Sequence, residues 1–242
     1  MKSVKRMISI SCILLISGFL NAQTLSPRVT FKDHAQTHNM HITSDGQYLY
    51  TCNGGKPEMG QISKFTLDGT KIGSYKIELD MRSIMYNASD KKLYVNTFGQ
   101  KVYKIIDLAT GKFSEAFDFS ERNEQCTPAI SPDGKLIYFM EFGELYVYNL
   151  KKGKLKTTLS GLSTSEEVAT GGTAVAVDKK HIYSWNSDEY AVYVYDLKGK
   201  YLKSVKLNQG DYGFSLSSAK DMIWVSTDGN YDEGTWYGYM IQ

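Results

Sequence analysis

The sequence predicts an all-β chain: a β-propeller of five four-stranded blades, the last closed by a strand from the N-terminal end. Three observations carry this. Tyrosine, which favours extended backbone, occurs 18 times, against three tryptophans and four prolines. A short apolar motif returns every 41–45 residues. Its last copy lacks a fourth strand, and a spare strand precedes the first copy. With 42% hydrophobic and 22% charged residues, the composition is globular, which excludes a fully disordered chain.

In chain order, residues 1–22 read as a secretory signal and residues 23–242 as one domain. Lys2, Lys5 and Arg6 form a basic start, and Ile8 to Leu20 is an apolar run interrupted by serines, Gly18 and Cys12. The run is short of the ~20 residues a membrane span needs. Cleavage is expected before Gln23, giving a secreted or periplasmic protein with no transmembrane anchor. The whole chain has 28 basic and 26 acidic residues; the signal removes three basic and no acidic ones, leaving 25 and 26, or −1. No electrostatic footprint for nucleic acid follows from that balance.

The repeats come next. Leu49, Leu93, Ile137, Ile182 and Ile223 are anchors of equivalent strands, each preceded by a turn: Asp45-Gly46, Ser89-Asp90, Asp133-Gly134, Asp178-Lys179 and Ala219-Lys220. Asp-Gly supplies the positive φ values of a tight two-residue hairpin. A second row of alternating strands follows, at 62–67, 103–108, 145–150, 192–197 and 236–241. After a further turn, a third row runs at 72–77, 113–119, 155–159 and 202–207. The fifth repeat ends before this row. Residues 28–32 fill the gap: Phe31 lies 18 residues before Leu49, as Phe119 lies 18 before Ile137. Val29 and Phe31 are therefore expected to complete the last blade, removing its open edge. A larger ring of which this chain is a part is the competing expectation.

Ser131-Pro132-Asp133-Gly134-Lys135 with Leu136-Ile137-Tyr138 resembles the repeats of exported YVTN-type and WD-like propellers. So does the stretch from Val102 to Lys112. The resemblance spans residues 28–242, more loosely in repeats one, four and five. It implies secreted or periplasmic propellers that are mostly binding modules, with some lactonase-like and quinoprotein-like enzymes.

In such a fold, the connections from fourth to first strands and from second to third strands share one face, where loops carry function on a rigid scaffold. The opposite face, with its tight turns, offers a poor site. The exits of the second strands align Asn53, Asn96 with Thr97, Glu141, Asn186, and Thr227 with Asp228. Phe98, Phe142, Trp185, Tyr190 and Tyr231 flank them. Amides, a carboxylate and flat rings suit a small polar ligand such as a sugar or a peptide, or a protein partner. Asn53, Asn96, Glu141, Trp185, Asn186 and Asp228 are the expected ligand-binding residues. Turn chemistry, in which Asn and Asp cap local backbone, explains the same recurrence. The connection 163–172, with Glu166 and Glu167, is either a lid or a plain loop.

His34, His38 and His41 lie within eight residues, but without a zinc or facial-triad spacing they read as solvated or structural. The loop 228–235, with Asp228, Asp232 and Glu233, lacks EF-hand spacing. No metal or cofactor is expected. Cys52 and Cys126 share a face but belong to non-adjacent blades, which favours free thiols. The sequence has no nucleophile elbow, P-loop or dinucleotide fingerprint, so no catalytic residue is assigned. A non-catalytic binding module is the first reading. The alternative is a lactonase-like or glycosidase-like hydrolase that uses Glu141, Asp211 and Asp228, with or without a metal.

Overall fold

A computed structural model describes residues 24–165 and 172–241. The signal segment and most of the expected lid, with Glu166 and Glu167, lie outside the described residues. β1 (Thr24–Leu25) and β2 (Val29–Asp33) precede the repeats. Blade one comprises β3 (His38–Ser44), β4 (Leu49–Gly54), β5 (Gln61–Phe65) and β6 (Lys71–Lys76). Blade two comprises β7 (Met81–Asn87), β8 (Lys92–Thr97), β9 (Lys101–Asp107) and β10 (Lys112–Asp118). Blade three holds β11 (Ala129–Ile130), β12 (Leu136–Glu141), β13 (Glu144–Asn149) and β14 (Lys154–Leu159). Blade four holds β15 (Val175–Val177), β16 (His181–Asn186), β17 (Ala191–Asp196) and β18 (Tyr201–Leu207). Blade five has β19 (Ser217–Ala219), β20 (Met222–Ser226) and β21 (Gly234–Tyr239). All five sheets are antiparallel within the blade, so the expected five-bladed, all-β propeller is the observed fold.

The N-terminal strand closes the ring as the repeat arithmetic demanded. β2 pairs antiparallel with β21, with Val29 opposite Gly238 and Phe31 opposite Trp236. Phe31 packs on Phe65 and Trp224, at centroid distances of 4.5 and 5.7 Å, in the core between blades five and one. A Cβ on Gly69 (φ 91°) would sit 2.5 Å from the Phe31 side chain, so only glycine admits this approach. At the end of β2, buried Asp33 accepts a hydrogen bond from Thr51 and lies 3.7 Å from Lys71, both in blade one. Burial pushes its carboxyl pKa up. β1 was not anticipated: it pairs in parallel with β18, covering the outer edge of blade four.

Five apolar clusters fill the five interfaces between blades. Cys52 lies buried in the cluster between blades one and two, and Cys126 in that between two and three; both are free thiols. The innermost strands are polar for a reason that belongs to the ring. Their inner edges have no strand partner, and side chains of the preceding blade accept from some of their amides. Ser217 in blade five accepts from the Ile42 amide, and Thr43 in blade one accepts from the Tyr86 amide.

The hairpin turns differ from expectation. Ser44 pairs with Leu49, which makes Asp45-Gly46-Gln47-Tyr48 a four-residue turn. Asp45 organises it: Oδ1 accepts from the amides of Gln47 and Tyr48, and Oδ2 from the Tyr50 hydroxyl. Asp178 does the same for Lys180, His181 and Tyr183. The expected Ala219-Lys220 turn is the two-residue one, one residue further on: Lys220-Asp221, at φ 49° and 59°, joins Ala219 to Met222.

Candidate functional site

The polar ring at the second-strand exits is real, and most of it is built into the scaffold. Asn53 is 1% exposed; its amide donates to the carbonyls of Ala35 and Met59 at 3.0 Å and to Thr37, and its carbonyl accepts from the Gln61 amide at 2.7 Å. Asn96, also buried, donates to Gln100 at 2.8 Å and to the Cys126 carbonyl at 3.4 Å. Glu141 accepts from the Asn123 amide at 2.8 Å and faces Arg122 at 3.5 Å. Asn186 donates to the Thr164 carbonyl at 3.5 Å and accepts from the Glu189 amide at 3.1 Å. Asp228 Oδ1 lies 2.7 Å from His38 Nδ1. Each of the five therefore reaches a connection that enters a first strand. The recurrence is a clamp between the two loop sets of this face, rather than local capping alone.

Trp185 has no exposed surface and packs in the core between blades four and five. Opposite Val192 in the sheet, it points into that interface, out of reach of a ligand. The other flanking aromatics are the accessible ones. Phe98, Phe142, Tyr190 and Tyr231 are 42%, 41%, 42% and 50% exposed, one on each of blades two to five. Three adopt the left-handed backbone region that bulky residues avoid: Phe142 at φ 48°, Tyr190 at 53° and Tyr231 at 69°. Strain of this kind persists where surrounding structure over-determines it, and it gathers at ligand-binding loops.

One polar and aromatic grouping on this face draws on blades five, one and two. His38 stacks on Tyr212 at 6.0 Å and meets the Tyr231 edge at 5.5 Å. Lys56 lies 5.1 Å above the Tyr231 ring. Arg82 pairs with Asp80 at 2.6 Å and lies 5.0 Å from the Phe98 centroid. Burial, then Asp228, pushes the Tyr212 phenol pKa up, so Tyr212 stays a neutral hydroxyl. Asp80 is paired with Arg82 and Asp228 with His38, while exposed Lys56 lies over the Tyr231 ring. His34 pairs with Glu233 at 2.7 Å, so the three histidines are dispersed rather than convergent. No cluster of three metal-ligating side chains exists among the described residues. Sequence reasoning named Asp228, Phe98 and Tyr231. It did not single out Arg82, whose contact with Phe98 joins the start of β7 to the exit of β8 within blade two.

No family model matches the chain, and no curated protein matches it by sequence. Solved structures do match. A glutaminyl cyclase from Myxococcus xanthus superposes with a TM-score of 0.64 at 8% identity, covering 90% of this chain and 96% of that one. A tail fiber of Staphylococcus aureus phage P68 superposes with a TM-score of 0.58 at 15% identity. It covers 89% of this chain but only 53% of its own, so this chain spans about half the tail-fiber chain. These likenesses define the class as a β-propeller and go no further. At such identity they carry neither activity nor partner. The resemblance to YVTN-type and WD-like repeats is one of motif.

Proposed function

We propose that this chain is an exported, non-catalytic binding module that holds a small polar ligand or a protein partner against the face carrying Phe98, Phe142, Tyr190 and Tyr231. The exposure of these four aromatic side chains, one in the second-to-third-strand connection of each of blades two to five, carries the reading. Aromatic faces beside hydrogen-bonding groups suit sugars and peptides. Tyr231→Gly is expected to raise stability by about 1 kcal/mol through relief of strain. The same substitution should weaken binding. A thermal-shift screen of saccharides and short peptides, repeated on Tyr231→Gly, checks both. A ligand-induced shift of equal size in the variant contradicts the reading.

The hydrolase reading has one observation in its favour, the His38–Asp228 pair at 2.7 Å, an arrangement that orients an imidazole as a general base. Against it, Glu141 and Asp228 are held by different partners, Arg122 and His38, and share none. Turnover of lactone or glycoside substrates that disappears in Asp228→Asn would reinstate it.

Export rests on residues 1–22. Among the described residues no helix is long and apolar enough to cross a membrane. Mass spectrometry of the exported protein should find Gln23 or a near neighbour at the N-terminus. An intact Met1 on membrane-bound protein would overturn this part of the proposal.

A further inference from the structure

The near balance of 25 basic and 26 acidic residues beyond the signal conceals an uneven distribution. At and just above the face of tight turns, opposite the aromatic face, blades three and four carry the segments 131–135, 149–158, 178–181 and 196–202. These hold nine lysines, no arginine and three aspartates, which leaves 16 basic against 23 acidic residues in the rest of 23–242. One sector of the ring is thus positive on a domain that is otherwise negative.

The lysines there are not spent on ion pairs. Among the described residues only Lys135 of the nine is in a salt bridge, with Asp133 at 3.1 Å. Asp178 Oδ1 accepts from the backbone amides of Lys180 and His181, and Asp196 Oδ1 from those of Lys198 and Lys200. These carboxylates hold the turns, and the lysine side chains are exposed.

Apolar side chains stand between them. Leu155, Leu197, Tyr201 and Leu202 are 52%, 47%, 51% and 46% exposed. The runs are Lys154-Leu155-Lys156 and Leu197-Lys198-Gly199-Lys200-Tyr201-Leu202. A Cβ on Gly199 would sit 3.3 Å from Leu159, so the turn of blade four lies against β14 of blade three and the two runs join in one patch. Lysine on an open edge strand such as β14 discourages strand pairing. That accounts for Lys154 and Lys156, but not for Lys151, Lys152, Lys198 and Lys200, which stand in turns.

Residue type selects the partner. Exposed leucine and tyrosine gain by entering an apolar medium or its boundary with water. Lysine, a flexible point charge, suits a diffuse field of phosphates, whereas arginine suits a discrete one. A nucleic acid offers the charge without an apolar layer beneath it. A bilayer offers both, and lysine stems span from one to the other.

We propose that this patch docks the protein onto an anionic phospholipid surface, with the two lysine-flanked apolar runs at the headgroup boundary and the aromatic face turned away. The proposal is independent of what the aromatic face binds.

The test is co-sedimentation of residues 23–242, which hold all five blades, with phosphatidylglycerol–phosphatidylcholine vesicles and with phosphatidylcholine alone. Only the anionic vesicles should carry the protein down. Each lysine near such a surface is worth about fivefold, so changing Lys151, Lys152, Lys198 and Lys200 together to Gln should lower partitioning more than about a hundredfold. Changing Lys32, Lys76, Lys101 and Lys206 to Gln alters net charge equally, but at the other ends of the strands, beyond the reach of the screened field, and should cost less than about twofold. Leu155→Ser with Leu202→Ser should lower partitioning at least about tenfold. The comparison of the two lipids uses the unaltered protein and decides the matter even if a variant misfolds. Equal sedimentation with both lipids, none with the anionic one, or equal losses in the two lysine variants would each overturn the proposal. Undiminished binding by the leucine variant would also overturn it, in favour of a polyanion or an acidic protein.

Discussion

Removal of residues 23–33 is expected to abolish most of the net stability of the domain. The truncation deletes β1 and β2, strips β21 of its outer partner from Gly234 to Gly238, and empties the Phe31 site between blades five and one. Loss of a buried phenylalanine alone costs about 3–5 kcal/mol. Each ladder hydrogen bond adds about 0.5–1.5 kcal/mol. Together these approach the ~5–15 kcal/mol that holds a domain folded. The exposed edge of β21 then presents Trp236 and Tyr239 for association with other chains. Denaturant unfolding and light scattering read both effects. Phe31→Ala should lose the cavity contribution alone and scatter light no more than the parent. A truncated chain that melts like the parent would show that the ring is not closed by this strand.

The second large effect is a pH dependence centred on His41. Its folded pKa, about 4, lies below the ordinary 6.5 because the ring is desolvated. As pH falls, the unfolded chain takes the proton first. The contribution is therefore complete above 6.5, declines between 6.5 and about 4, and levels off below. The shift corresponds to about 3 kcal/mol across that window. Asp33 acts in the opposite sense: its raised pKa lets the folded state take a proton before the unfolded chain does, which favours folding as acid is added. Comparison of the wild type with His41→Gln isolates the imidazole, since glutamine can still donate to the Ile84 carbonyl. Across the same window the wild type should lose about 3 kcal/mol more than the variant in urea unfolding. Parallel pH profiles would place His41 in a solvated, protonatable environment.

What the sequence made legible divides along physical lines. Second strands could be read as short runs buried on both faces, such as β4, and third strands by alternation such as Tyr193-Val194-Tyr195; the fourth strands, largely exposed in β14, followed from the turns before them. The innermost strands could not. β11 has two residues and β19 reads Ser-Ser-Ala, because their composition answers to amides of the adjacent blade rather than to a period of two. The Asp-Gly signal located the turns but misjudged their length, since the Asp45 carboxylate closes a four-residue turn that a bare hairpin would not need.

The candidate site shows the same division. Polar residues at the second-strand exits were recognisable by position. That Asn53 has its amide fully engaged with Ala35, Met59 and Gln61 follows only from the approach of two loops. Trp185 and Tyr190 are both aromatics near one strand end, yet the first is buried and the second is 42% exposed. Strand register sends Trp185 inward, and a positive φ turns Tyr190 outward.

The most direct measurement of the binding-face account is calorimetric titration of the best saccharide or peptide from the screen into three proteins. These are the wild type, a variant carrying Phe98→Ser, Phe142→Gly, Tyr190→Gly and Tyr231→Gly, and His41→Gln. The account predicts binding to the wild type and to His41→Gln with equal affinity, and none to the four-fold variant, which should remain folded. Undiminished binding to the four-fold variant would contradict it.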